Sequence, residues 1–194
     1  ILEPLKNNED IENLRNSDDI HSTLEPVYEA VTNIKSKLET NITFIGFAGS
    51  PWTVATYMIE GKGSKDHIKT KTFMLNYPQV FKKLIVKIQD ATIEYLSKQI
   101  EGGVDVIKLF DSWANSLPAI YIEKYSLEPM KVIAKEIKKR FPRIPIIVFP
   151  RGIGPMYKKF AMVKEFDCVA VDSSIDLDWA KKNIQKEKVI QGNL

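Results

Sequence analysis

Cysteine, histidine and long apolar runs are all scarce in this 194-residue chain, and each scarcity closes a class of function. The single cysteine, Cys168, has no partner for an internal disulfide, and two histidines, His21 and His67, are too few for an all-protein zinc cluster. No metal site is therefore expected. The longest uncharged apolar stretches, such as Ile144 to Pro150, fall far short of the ~20 residues that cross a bilayer. The N-terminus has no basic-then-apolar signal pattern, so a reducing, cytoplasmic setting is the expectation. Charge of one sign is also lacking, with 28 basic against 25 acidic residues and a net charge of +3. That balance does not argue for nucleic acid, and Lys138-Lys139-Arg140 and Lys158-Lys159 carry no interleaved aromatics. It does not repel an acidic small molecule either.

What is present is ordinary globular material: 44% hydrophobic and 27% charged residues, enough for one domain over 1–194. Asn7 to Asp10 lead into a short helical segment, and a longer helix runs from Asp18-Asp19 to about Leu38. Its stripe of Ile20, Leu24, Val27, Val31, Ile34 and Leu38 predicts one buried face. Short apolar runs then recur: Ile42 to Ala48, Val104 to Phe110, Ile144 to Phe149, Cys168 to Val171 and the weaker Val189 to Gln191. Each reads as a strand buried on both faces.

Helical patterns separate these runs. Ser50 caps and Pro51 opens a helix to about Ile59. Another fits Lys65 to Leu75, and a long one runs from Pro78 to Ile100 on the stripe Phe81, Leu84, Ile85, Ile88, Ile93 and Leu96. Pro118 to Tyr125 and Pro129 to Arg140 read as a helix pair, followed by Tyr157 to Glu165 and Leu177 to Ile184. Alternating β and α elements predict a parallel sheet, either doubly wound or a (β/α) barrel. No G-x-G-x-x-G follows a strand, which disfavours the first. Five strands do not close an eight-stranded barrel, so the chain is expected to hold only the central portion of one. Its start at Ile1 rather than Met agrees with that expectation.

In both architectures ligands meet the carboxyl ends of the strands. The residues there are Phe47, Gly49, Ser50, Trp52 and Tyr57; Phe110, Asp111, Ser112 and Trp113; Pro150, Arg151 and Gly152; Asp172, Ser173 and Ser174; and Gly192-Asn193-Leu194. Such rings, hydroxyls and one arginine suit a flat, partly apolar ligand bearing carboxylates. Each residue also has a packing role open to it. Tyr57 fits a half-buried helix tyrosine, Ser112 a cap, Phe47 and Phe110 barrel-end packing, Trp52 and Trp113 rim covers. Arg151 suits a loop salt bridge, and Asp111 and Asp172 can take backbone amides or act as paired acids. His67, among Lys65, Asp66 and Lys69, reads as a surface residue.

At these residues the sequence resembles the uroporphyrinogen decarboxylase family. The segment Gly46 to Gly61, GFAGSPWTVATYMIEG, carries the likeness, and Ser64-Lys65-Asp66, Leu109 to Trp113, Tyr125-Ser126-Leu127, Val148-Phe149, Val171-Asp172 and Gln191 to Leu194 follow in order. The resemblance implies a (β/α)₈ TIM barrel, usually homodimeric, of which residues 1–194 hold roughly strands 3–7. It implies cofactor-free decarboxylation of the four acetate side chains of uroporphyrinogen to coproporphyrinogen. Tyr57 and Ser112 match substrate contacts, and Phe47, Gly49 and Phe110 match pocket-lining positions, with Arg151 a further lining candidate. The family's catalytic aspartate, arginine motif and late histidine have no counterpart here, so these residues alone are expected to be inactive. Ser173 stands where the family commonly has tryptophan, and Pro150-Arg151-Gly152-Ile153 replaces a Lys-Gly or Lys-Asp-Gly turn. The alternatives are a related barrel such as a cobalamin-dependent methyltransferase, or a non-catalytic scaffold.

Overall fold

The computed structural model describes residues 3–192. Five strands, β1 (Ile45–Gly49), β2 (Val106–Asp111), β3 (Ile146–Pro150), β4 (Cys168–Ala170) and β5 (Val189–Gln191), lie side by side in chain order, every neighbouring pair parallel. Helices α1 (Asn8–Glu12) and α2 (Ile20–Lys35) precede β1, and α3 (Pro51–Glu60), α4 (Ile68–Asn76), α5 (Pro78–Glu101), α6 (Ala119–Ile122), α7 (Glu128–Arg140), α8 (Tyr157–Ala161) and α9 (Leu177–Asn183) supply the connections between strands. Sequential parallel strands joined by helices, with no reversal of order, are the arrangement of a barrel wall.

Period-2 alternation splits the strand residues between two environments. Ala48, Ile107, Leu109, Ile146, Val148 and Val169 face the helices and join the main core. Ile147, Cys168 and Ala170, with Val106 and Phe149, form a smaller cluster on the inner face. Burial on both faces is the expectation for all five runs, and the two edge strands depart from it: Ile45 is 37% and Phe47 57% exposed on β1, and Val189 is 66% exposed on β5. Five strands leave the sheet open, and among the described residues the inner side of its first strand stays exposed. The edge of β1 is partly satisfied nonetheless. Gln99 on α5 accepts from the Phe47 amide (3.0 Å) and donates to its carbonyl (3.1 Å).

The long helix α5 buries every residue of its expected stripe, Phe81, Leu84, Ile85, Ile88, Ile93 and Leu96, between α3, α7 and β1. The α2 stripe does not behave likewise. Val31 is buried, but Val27 and Ile34 are exposed, because α2 packs mainly on α5 and its first turns border an open groove. The expected pair of helices after β2 is one continuous run instead, joined by a π-helical turn over Glu123–Leu127. Pro129 lacks an amide for the carbonyl four residues back and its ring crowds that carbonyl, which widens the turn. The helix expected over Tyr157 to Glu165 ends at Ala161.

At the amino ends of the strands two aspartates act as clamps. Asp105 accepts from the Phe44 amide (2.8 Å) and pairs with Lys35 on α2 (2.7 Å). Asp167 accepts from the Ile146 amide (2.8 Å) and pairs with Lys138 on α7 (2.7 Å). This end of a barrel serves stability, which leaves the carboxyl ends for ligands.

Candidate functional site

The carboxyl ends of the five parallel strands form one rim, organised around two aspartates. Asp111, the last residue of β2, is fully buried. Its Oδ1 accepts from the Thr53 hydroxyl of α3 (2.6 Å) and its Oδ2 from the Ser126 hydroxyl of the π turn (2.6 Å). Burial pushes its pKa up, and the hydroxyls of Ser126 and Thr53 oppose the rise. Its carbonyl accepts from the Arg151 amide (3.1 Å), which ties in the turn after β3. Asp111 is thus a strut between α3, β2 and the helix beyond, turned away from the inner face. Ser50 stands at the start of α3 in extended backbone, but its hydroxyl makes no cap hydrogen bond. Pro51 and the next residues start the helix without it.

Asp172 organises the other side of the rim. It accepts from the Gly152 amide (2.6 Å), the Tyr157 hydroxyl (2.7 Å) and the Ser174 amide (2.9 Å), and from the Ser174 hydroxyl. Burial works against its charge, but these donors prevail and hold its pKa at about 2. Burial, then the bond to Asp172, push the Tyr157 phenol well above its usual range. Both aspartates therefore have full structural employment, and neither offers the free carboxyl that a paired acid mechanism needs. Arg151 is exposed and forms no ion pair among the described residues, so the expected loop salt bridge is not made.

Between these struts the rim carries an aromatic row. The Tyr57 ring, 49% exposed on α3, meets Trp113 edge-on with centroids 6.3 Å apart. Trp113 in turn lies 5.0 Å from the His67 ring. Trp52 is fully buried and donates from Nε1 to the Trp113 carbonyl (2.9 Å), which fixes the loop that also holds Ser112. The Trp113 amide donates to the Thr53 hydroxyl (3.3 Å). Ser112 is partly buried and the turn after it has no side-chain cap, so the capping role is not taken up. Phe47 and Phe110 pack against one another on the inner face at 5.8 Å. Gly49 ends β1, where an added Cβ would meet Val54 at 3.1 Å.

His67 overturns its expected surface position: only 2% of it is exposed. Its backbone is left-handed (φ 50°), which turns the side chain inward while Lys65, Asp66 and Lys69 stay in solvent. Its amide donates to the Ser64 hydroxyl (3.1 Å). Burial lowers its pKa, and Glu60 opposes this. Sequence reasoning also passed over Lys108, which points to the inner face. Its position in an apolar strand pattern hid it.

One apolar groove of about 480 Å³ lies on the helix side of β1, among Ile20, Leu24, Met58, Ile88 and Tyr95. It touches the rim at Gly49, and neither Tyr57 nor Ser112 borders it. No helix among the described residues is long and apolar enough to cross a membrane. Asn193 and Leu194, expected after β5, lie outside the described residues.

A wall of five parallel strands in chain order, with helices packed on one face, is part of a (β/α) barrel. The family model described as Uroporphyrinogen decarboxylase (URO-D) matches residues 1–194, and the chain belongs to that family. Among its relatives, the uroporphyrinogen decarboxylase of Rhodobacter capsulatus is 50% identical over 96% of the chain and 54% of its own length. That of Jannaschia sp. (strain CCS1) is 48% identical over 93% of the chain and 53% of its own length. The chain spans about half the length of these curated relatives. A methyltransferase from Methanosarcina mazei shares the fold with a TM-score of 0.80 at 18% identity, over 95% of this chain and 53% of that one.

Proposed function

We propose that residues 1–194 are the central portion of one barrel domain in a uroporphyrinogen decarboxylase, roughly strands 3–7, and that Tyr57 and Ser112 bind the substrate. The observation that carries this reading is the exposed Tyr57 ring braced edge-on by Trp113, the residue after Ser112, on a chain half identical to relatives of that name. A phenol and an alcohol anchored on two adjacent strand ends can both address one reacting side chain. Phe47 and Phe110, side by side on the inner face, give the macrocycle an apolar wall. Gly49 keeps that wall clear, and exposed Arg151 adds a cation at the rim for a peripheral carboxylate.

The chemistry needs no bound electron sink. Protonation of a pyrrole next to the acetate-bearing carbon makes a cationic ring, which takes up the electron pair of the breaking C–COO bond as CO₂ leaves; the exocyclic methylene is then protonated to a methyl group and the ring carbon gives up its added proton, restoring the pyrrole. Tyr57 and Ser112 orient the acetate, and the surrounding rings reduce its solvation. The carboxylate that steadies the cation comes from the rest of the protein, since Asp111 and Asp172 are committed to the scaffold. We place the whole protein in the cytoplasm as a homodimer in porphyrin biosynthesis, with residues 1–194 inactive alone. The test is anaerobic incubation of the whole protein with uroporphyrinogen. Four equivalents of CO₂ with stepwise conversion to coproporphyrinogen are expected, and no CO₂ release would overturn the reading.

A further inference from the structure

The inner-face positions of the five strands are apolar or neutral apart from Lys108. It stands beside Phe47 in register, two residues before Phe110 on the same face. Its Nζ reaches across from β2 to β5 and donates to Gln191 Oε1 at 2.8 Å, 5.2 Å from the Phe149 ring centroid. Burial lowers its pKa, with the Cys168 thiol the neighbour that opposes the change. No described Asp or Glu lies within ion-pair distance of it. An amide oxygen and a ring face orient an ammonium group, but they do not neutralise it.

That combination is a prepared anion site. Gln191 accepts through Oε1, which leaves its Nε2 hydrogens to donate, and Lys108 keeps two further N–H groups. We propose that Lys108 and Gln191, seated over Phe149, form a carboxylate subsite inside the barrel mouth that receives one acid side chain of the substrate. The subsite rests on the function proposed above. It lies below Ser112 and Tyr57, so it would hold an acid group that points into the barrel while the rim holds the reacting one.

The experiment uses the whole protein under anaerobic conditions, with uroporphyrinogen as substrate and Lys108→Met and Lys108→Arg as variants. Lys108→Met is expected to raise KM about tenfold, the usual worth of one charge-assisted contact, with Lys108→Arg restoring most of it. A purely structural lysine would instead lower thermal stability and leave KM in place. A second measurement needs no variant: acetylation of Lys108 by acetic anhydride, read by peptide mass spectrometry, should slow at least fivefold (about the occupancy effect of ligand at several times Kd) when uroporphyrinogen is added. An active wild type whose KM is unmoved by Lys108→Met, or whose Lys108 labelling ignores the ligand, overturns the subsite alone. An inactive wild type removes the subsite together with the function it rests on.

Discussion

The Thr53 hydroxyl donates to Asp111 Oδ1 at 2.6 Å, and through it the first turn of α3 is fixed to the carboxyl end of β2. The same oxygen accepts from the Trp113 amide, so one threonine sets the relative position of the two rim segments that carry Tyr57 and Ser112.

Thr53→Val should therefore destabilise the protein by ~1–3 kcal/mol, the cost of leaving a buried carboxyl short of a partner. Thr53→Ser keeps the donor and should lose much less. Urea unfolding of the two variants checks this, and equal midpoints for both would contradict it.

His67 makes stability depend on mild acid. Its folded pKa lies below the ordinary 6.5, so the unfolded chain binds the proton more readily. Above pH 6.5 the residue is neutral in both states and contributes nothing; as pH falls through 6.5, stability drops until the folded pKa is passed. Asn tolerates the left-handed backbone, so His67→Asn should flatten this limb of the profile. Identical slopes between pH 7.5 and 5.5 for wild type and variant would refute the assignment.

Asp172 acts in the opposite sense at lower pH. With a folded pKa of about 2 against an ordinary 3.8, its contribution is complete above 3.8 and fades as pH falls through about 2. Asp172→Asn should loosen the turn from Pro150 to Gly154, seen as faster amide exchange at Gly152, and should remove part of the stability change between pH 4 and 2. Unaltered Gly152 exchange would count against its strut role.

Much of the fold was legible because its signals are local. The apolar runs and the α5 stripe are set by period, and β5 falls on the expected Val189–Gln191. The rim was legible too, since strand ends in a parallel sheet converge wherever the strands lie. Misreadings came from longer-range causes. The solvated neighbours of His67 concealed a left-handed residue that inverts its side chain. The apolar texture around Lys108 gave no sign that one face of β2 carries a cation. Nor did the residue spacing reveal that Asp111 would be consumed by Thr53 and Ser126, partners 58 and 15 positions away.

The most direct measurement is the turnover of uroporphyrinogen by the whole protein carrying Tyr57→Phe, which keeps the ring against Trp113 and deletes only its hydroxyl. A phenol that hydrogen-bonds a charged acetate predicts a loss of ~1.5–3 kcal/mol, about 10- to 160-fold in kcat/KM, at unchanged thermal stability. Wild-type kinetics in that variant would contradict the account and place the binding mouth elsewhere.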